Sequence, residues 1–531
     1  MKRRLLFLRG LFLLAVFSLV SSQTIWSQEV TANITGTVTD PSGAPIAGAM
    51  ATATDIQRGT SFSARTNDSG VYNINRIPIG QYKVTVKQTG FETTVHPPIN
   101  LDLNQTARMD FQLKVGQVTE VVEVNSGAPL LQTESTEVST VIDATTQVSL
   151  PLGTRNYLAL TLLAPGATTP NPASFNSAGL ITSSGRPYIN GNREQANEML
   201  LDGIDSSENS NNEVGYTPSP DAIEQFNVIT QNASAEFGSY QGGVVSTSIK
   251  SGTNSYHGSA FEFYRDGNFN ANKWANGLSK GTCGGSLPAC NPQLQDSTGA
   301  ILKPGLVWNQ FGAAAGGPII KNKLFFFVDY QGQRFDTPPS AQSIFVLTSA
   351  ERAGDFGVLC QTGFTAGVCN PPSGPNDQRS HVQLVNPATQ ANIPNNNLAA
   401  AGLKESAVTS ALLNSIPQGD ATGALAALKG EQINNDQGDL KIDYNVSEKD
   451  HTYFRWSQAH IRHPTIETFA LAEVGPEEQP VRNLATQWVH SFNNSLLNEL
   501  RFGFNAVDFD NPRNVAGNVG KLAEQIGISN G

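Results

Sequence analysis

The segment Thr452–Gln458, TYFRWSQ, alternates strictly: Phe454 and Trp456 fall on one side of an extended chain, Tyr453, Arg455 and Ser457 on the other. Stretches with this period recur through the second half of the chain, at His257–Arg265, Trp308–Pro318, Lys323–Gly332, Asp436–Val446, His451–Ile461, Leu484–Asn493 and Asn498–Asp508. Each predicts a long strand. Large apolar groups opposite polar ones suit a sheet between two different media. In a membrane barrel, lipid meets one set and the lumen the other. A soluble sandwich or propeller is the competing architecture. Phe325, Phe327, Trp456, Trp488 and Phe492 are expected on the barrel wall or in its interfacial girdles.

The chain starts Met-Lys-Arg-Arg, followed by an apolar run from Leu11 to Val20. A basic start and a short apolar core predict a secretory signal peptide over residues 1–27, cut between Ser22 and Ser27. The run is half the roughly 20 residues a spanning helix needs, and no later stretch reaches that length. A membrane-embedded mature chain must therefore be a closed β-barrel, since only helices and barrels pair every backbone group in lipid. Charged residues are only 15% of the chain and the net charge is −11, which argues against a nucleic-acid partner. Cys283, Cys290, Cys360 and Cys369 form two close pairs in Gly/Pro/Asn-rich loops. In an exported chain they predict local disulfides. With no Cys-x-x-Cys and no neighbouring histidine at ligand spacing, they argue against a metal site.

Residues 31–115 read as a β-sandwich of about seven short strands. The strands are Ile34–Val38, Ala49–Thr54, Ser61–Arg65, Val71–Ile74, Tyr82–Lys87 and Ala107–Leu113, with turns at Asp40–Gly43, Asn67–Gly70 and Pro78–Gly80. Ile34, Val38, Tyr72, Ile74, Tyr82, Val84, Val86, Phe111 and Leu113 are the expected core. ITGTVTDPSGAPIAGA and TNDSGVYNINRIPIGQYKVTVKQTGF resemble the carboxypeptidase regulatory-like domain. The resemblance implies a transthyretin-like, carbohydrate-binding-like fold with an accessory role. It does not imply a peptidase: the only histidine in the segment is His96, and no His-x-x-Glu pair occurs there.

Residues 131–253 have another rhythm, with strands expected at Ser139–Ile142, Tyr188–Asn190, Glu198–Leu201, Phe226–Thr230 and Gly243–Ile249. A helix is expected from Leu150, with Leu158, Leu162 and Leu163 on one face, and a short helix start at Pro220. The ordered set Leu201-Asp202-Gly203, AIEQFNV at 222–228, Glu236-Phe-Gly238 and Gly242-Gly243-Val-Val resembles the plug of TonB-dependent receptors. KSGTNSYHGSAFEFYRDGNFNANKW, from Lys250, resembles the junction of plug and barrel in Oar-like receptors, which makes 254–531 the start of an Oar-like barrel. That resemblance also bears on the linker 116–130. Val118, Glu120, Val121, Val122 and Val124 alternate as a candidate coupling strand, a TonB box, whose alternative is an ordinary sandwich or plug strand.

Short turns at Ser447–Asp450 and Asn493–Ser495 are expected to be periplasmic, and the stretches Asn268–Leu306 and Arg334–Gln432 extracellular, with short helices within Ala399–Leu428. Receptors of this kind have about twenty-two strands. The chain is therefore expected to be a fragment holding the first part of the barrel. No catalytic motif stands out, and no cofactor is expected. His460 and His463 read as surface residues. Asp202, Asp205 and Glu208 lack the spacing of a calcium loop and read as a solvated turn. The resemblance implies a mainly-β outer-membrane receptor in contact with lipid, an inner-membrane TonB-type protein and an extracellular ligand. Energy-coupled uptake of a bulky oligosaccharide, peptide or metal chelate follows. A structural or adhesion protein with the same architecture, and a carbohydrate-binding module, are the alternatives.

Overall fold

A computed structural model of the chain describes residues 31–116, 121–123, 133–176, 185–208, 210–238, 240–271, 303, 305–374, 377–464, 477–493 and 496–509. The expected signal peptide, Cys283, Cys290, Val118, Glu120 and Val124 lie outside these residues.

The N-terminal unit is a sandwich. Its strands are β1 (Ala32–Thr39), β2 (Met50–Asp55), β3 (Ser61–Arg65), β4 (Val71–Ile77), β5 (Gly80–Lys87), β6 (Thr93–Leu101), β7 (Thr106–Arg108), β8 (Phe111–Gln112) and β9 (Val121–Glu123). One sheet joins β4, β1, β7 and β8; the other runs β3-β2-β5-β6-β9. All nine residues expected in the core are buried. Tyr72 and Tyr82 keep their hydroxyls satisfied by donating to the Met109 and Pro78 carbonyls, at 2.8 and 2.7 Å. Strand β6 was not foreseen, because Pro97 and Pro98 argue against a strand. The structure seats them where β6 slips register against β5, between Tyr82 and Val84, and beyond the three residues that pair with β9. A missing donor costs little there. The stretch expected as one strand at Ala107–Leu113 is split into β7 and β8.

The central unit contains β10 (Val138–Asp143), β11 (Ala167–Thr168), β12 (Tyr188–Ile189), β13 (Glu198–Leu201), β14 (Ile204–Asp205), β15 (Ile223–Gln231) and β16 (Val244–Ile249). A mixed sheet runs β10-β15-β16-β13-β14, with β13 and β16 parallel. Every residue of β13 and β16 is buried, as in a sheet covered on both faces. Tyr157, Leu158 and Leu160 cover one face with Met199, Phe226 and Val228. Two expectations are corrected here. Tyr157–Leu163 is a 3-10 helix, not an α-helix: the three-apart pairs Tyr157/Leu160 and Leu158/Thr161 are buried, and Leu163, where the helix ends, is exposed. At Pro220 no helix starts: the chain turns, and β15 begins at Ile223, paired with Ile249. Cross-strand pairing of β-branched and aromatic residues outweighs the helix-start signal there.

The third unit is one antiparallel sheet in chain order: β17 (His257–Asp266), β18 (Val307–Ile320), β19 (Leu324–Phe345), β22 (Ala424–Asn445), β23 (Asp450–His463), β24 (Glu477–Asn493) and β25 (Leu496–Val507). The excursion between β19 and β22 carries the short pair β20 (Phe364–Thr365) and β21 (Val368–Cys369). All seven expected strands are present, and alternation assigns their faces. Val328, Tyr330, Phe454, Trp488, Phe502 and Phe504 are exposed on the outside, while Arg455, Ser457, Gln487 and Asn483 are buried on the inside. Phe325 and Phe327 are corrected: at 0% and 1% exposure they face inward, not toward a lipid girdle.

Strands β19 and β22 are 22 residues each, about twice what a membrane crossing needs. Beyond Asp336 and Asn434 their neighbours stop, so Thr337–Phe345 pairs only with Ala424–Glu431 as a two-stranded arm. The arm ends in a folded head. There, Thr348 and Glu351 form a capping box on a short helix, α1 (Ser349–Arg352). Arg352 donates to the Leu413, Ile416 and Pro417 carbonyls at the end of α2 (Ala407–Ser415). Cys360 and Cys369 form the expected disulfide. It closes a loop of sequence separation 9, worth about 2–3 kcal/mol by chain entropy. Cys360→Ser with Cys369→Ser is therefore expected to speed limited proteolysis within the head while leaving the thermal midpoint of the wall unchanged.

Candidate functional site

The Leu201-Asp202-Gly203 turn joins β13 to β14 with Leu201 paired to Ile204. Asp202 and Gly203 have φ of 46° and 74°, the two-residue turn that Asp-Gly favours. The tight turn presses this hairpin against the inner side of the wall. A Cβ on Gly503 of β25 would lie 2.4 Å from the Ile204 side chain, so the wall there admits only glycine.

Asp202 is 1% exposed. Its Oδ1 accepts from Ile249 N at 3.2 Å and Ser248 Oγ at 3.3 Å within the central unit. The wall supplies Lys441 Nζ at 3.1 Å to Oδ1 and Arg455 Nε at 2.9 Å to Oδ2. Its backbone oxygen accepts from the Tyr453 hydroxyl at 2.7 Å. Arg455, 0% exposed, also donates to the Leu201 carbonyl, Asn483 Oδ1 and Ser457 Oγ. Lys441 donates to the Ile249 carbonyl at 2.9 Å. Burying charges of both signs is tolerable only where each is paired and its remaining donors are satisfied.

The network continues upward. Ser457 donates to Asp439, whose other oxygen accepts from the Tyr216 hydroxyl at 2.8 Å. Burial, with Asp439 alongside, pushes the Tyr216 phenol well above its ordinary range, so it stays a donor. Tyr216 lies in the loop between β14 and β15. Arg186 ties that loop down through the Asn211 and Asn212 carbonyls and Glu213. Burial holds the Glu213 carboxyl above its usual value against the pull of Arg186, with Glu208 and Glu194 adding to the rise. Asn505 of the wall donates to the Ser207 carbonyl at 2.9 Å. The carboxylates of Asp205 and Glu208 accept from backbone N–H groups of this same loop, Ser207 and Ser210.

A second seam lies at the entry to the wall. Arg155 pairs with Asp221 and lies over the Phe261 and Phe263 rings, at 4.1 and 4.6 Å. Gln310 and Arg265 donate to the Thr154 and Gly153 carbonyls, both at or under 2.9 Å.

The other expected signature residues divide. Gly243 N donates to Asn197 Oδ1, and Gly242 N to the Ala196 carbonyl, so both hold the β13 approach to β16. Glu236 reaches Arg76 of the sandwich, at 4.0 Å. Gly238 stands beside Phe237, and it is Phe237 that packs, with Leu200, Ile229 and Val244. Val121 and Val122 lie in β9, parallel to β6 on the sandwich's own sheet. His460 faces Glu478 on the next strand at 3.2 Å. Sequence reasoning missed Lys441, Asp439, Tyr216, Arg155 and Arg76. The legible signal was charge at inward positions of an alternating strand: Arg455 was placed on the right face without its partner. Asp202→Asn is expected to leave Lys441 and Arg455 buried without a counter-charge and to cost about 3–5 kcal/mol, read as loss of the central unit's resistance to urea in detergent. An unchanged midpoint would refute the ion-pair reading.

Residues 33–114 match the carboxypeptidase regulatory-like domain and residues 248–531 the outer membrane beta barrel domain. The TonB-dependent transporter Oar of Myxococcus xanthus is 30% identical over 311 residues, covering 56% of this chain and 26% of that protein. The chain thus spans about a quarter of the length of this relative. Among solved structures, the outer membrane transporter YddB of Escherichia coli is similar at 12% identity and a TM-score of 0.42, covering 70% of this chain and 39% of that one. The ferric enterobactin receptor PfeA of Pseudomonas aeruginosa is similar at 12% identity and a TM-score of 0.35, covering 70% and 41%. The siderophore receptor PirA of the same organism gives 11% and 0.31, covering 71% and 52%. Since residues 248–531 are more than half of it, the chain belongs to the outer membrane beta barrel domain family and is an outer-membrane protein.

Proposed function

We propose that this chain carries the periplasmic domain, plug and first wall strands of a TonB-dependent receptor. In this reading the central unit is the plug, which blocks the lumen until energy coupling moves it and a bulky nutrient passes. An oligosaccharide, a peptide and a metal chelate are the cargo classes. The observation that carries the reading is the seating of the central unit on the inner side of the wall through Asp202, Lys441 and Arg455. A lumen filled by a separately folded unit, held by polar contacts, suits gated passage. The Oar relative's name supports the same assignment.

The coupling strand is the segment around β9. Among the described residues it is the last strand of its sheet, the position from which main-chain pairing with a partner strand could extend the sheet. Adhesion is the second reading, favoured by the arm and its disulfide-braced head. The carbohydrate-module reading is weaker. Stacking on sugars needs an exposed aromatic platform, and Phe62, Tyr72, Tyr82 and Phe111 are all in the sandwich core.

Capture of the full-length receptor on an immobilised TonB C-terminal domain tests the coupling. Val122→Pro removes a donor from the pairing strand and is expected to weaken capture by about tenfold or more, 1.4 kcal/mol. If wild-type receptor is not captured, and deleting the head abolishes attachment to surfaces while uptake is absent, adhesion replaces transport.

A further inference from the structure

The sandwich does not hang free of the membrane half. Turns at one end of it touch both the plug and the wall. Leu103, 1% exposed although it follows β6 in a turn, is gripped by the plug on both sides. Its N–H donates to Gln225 Oε1 at 3.0 Å, and its carbonyl accepts from Asn227 Nδ2 at 3.3 Å. Gln225 Nε2 returns a bond to Asp102 at 2.9 Å. Arg108 adds an ion pair to Glu134 at 3.1 Å.

The turn after β2 reaches the junction of plug and wall. Buried Arg58, held by Asp55 at 2.8 Å, donates to the Gly252 carbonyl, and Asn254 N donates to the Gln57 carbonyl at 3.0 Å. On the wall, the Phe62 ring lies 4.5 Å from the His451 ring. Arg76 spans the seam. In a left-handed conformation fixed by Asn33, it reaches Glu499 of the wall at 3.2 Å and Glu236 of the plug at 4.0 Å.

We propose that the sandwich is a periplasmic bolt, seated across the seam between plug and wall, whose release from the wall is required before the plug can move. Movement of the plug against the wall must break one side of this bridge. The plug side has the Leu103 grip, the Asp102–Gln225 pair and the Arg108–Glu134 pair. Arg58 adds its bond to Gly252 on the plug side, whereas the wall side has only the Arg76–Glu499 pair, the Phe62–His451 contact and the Gln57–Asn254 bond among these contacts, so the wall side yields first. The contacts are mostly polar, as in domain interfaces that separate and re-form. The inference rests on the central unit being a plug and does not depend on TonB coupling or on the cargo.

The test is conductance of the full-length receptor in planar lipid bilayers under urea, which opens the lumen without ligand or coupling protein. Phe62→Cys with His451→Cys ties the bolt to the wall. Asp102→Cys with Gln225→Cys ties it to the plug. Crosslinks are scored by mobility shift and reversed by reductant. The wall tether is expected to suppress opening several-fold, reversibly, and the plug tether to leave opening near wild type. Deleting residues 31–115 is expected to raise it. Failure of the wall pair to crosslink, or a formed wall tether that leaves opening unchanged, overturns the proposal. A receptor lacking residues 133–252 that conducts no better than wild type would instead refute the plug reading.

Discussion

A carboxylate buried between a lysine and an arginine, with its own turn in a left-handed conformation, is the constraint around which the molecule is arranged. Asp202 belongs to the central unit, while Lys441 and Arg455 belong to neighbouring wall strands. None of the three could be buried without the others, because an isolated ion in a dry interior costs several kcal/mol. The hairpin must therefore present the carboxylate at one place, and the wall must present both cations there. That requirement fixes the register of the central unit against the wall more tightly than apolar contact does. The nearby contacts of Leu201 and Ile249 with Ala459, Ile461 and Val481 would tolerate some sliding; charge pairing and directional donors would not.

The same wall serves two solvents. Its outer face exposes Phe454, Trp488, Phe502 and Phe504, while its inner face is rich in amides and charges. A wall that holds a folded unit on its inner face needs a lining that can hydrogen-bond to protein. An apolar lining would hold that unit by area alone. The polar lining distributes the grip over many bonds, each of modest net worth because water can replace it.

Much of this was legible in sequence, and the exceptions have common causes. Period-2 alternation located all seven wall strands and put Tyr453, Arg455 and Ser457 on the inner face. Turn residues located most of the sandwich. What failed was information held by partners distant in the chain. Phe325 and Phe327 read as wall or girdle residues from aromaticity alone; that they turn inward is decided by what packs there, Phe327 in one cluster with Leu201 and Ile249 of the central unit. The Pro97-Pro98 strand is possible only because of a register slip on the neighbouring strand. The 3-10 segment Tyr157–Leu163 packs in one cluster with Phe226 and Met199, partners that its local spacing does not announce. Among candidate site residues, the Asp-Gly turn was visible as a turn. Its role was not, since Lys441 and Arg455 lie some 240–250 positions away, at separations 239 and 254 in their contacts with this hairpin.

The arm formed by β19 and β22 changes how far from the wall this chain can make contact. Its outermost paired stretch, Thr337–Phe345, adds about 30 Å at 3.3 Å per residue beyond the point where neighbouring strands end. A stalk of this length sets the disulfide-braced head apart from the wall. Whatever the head touches is met at that distance, so its contacts and those of the inner face can be made independently of each other.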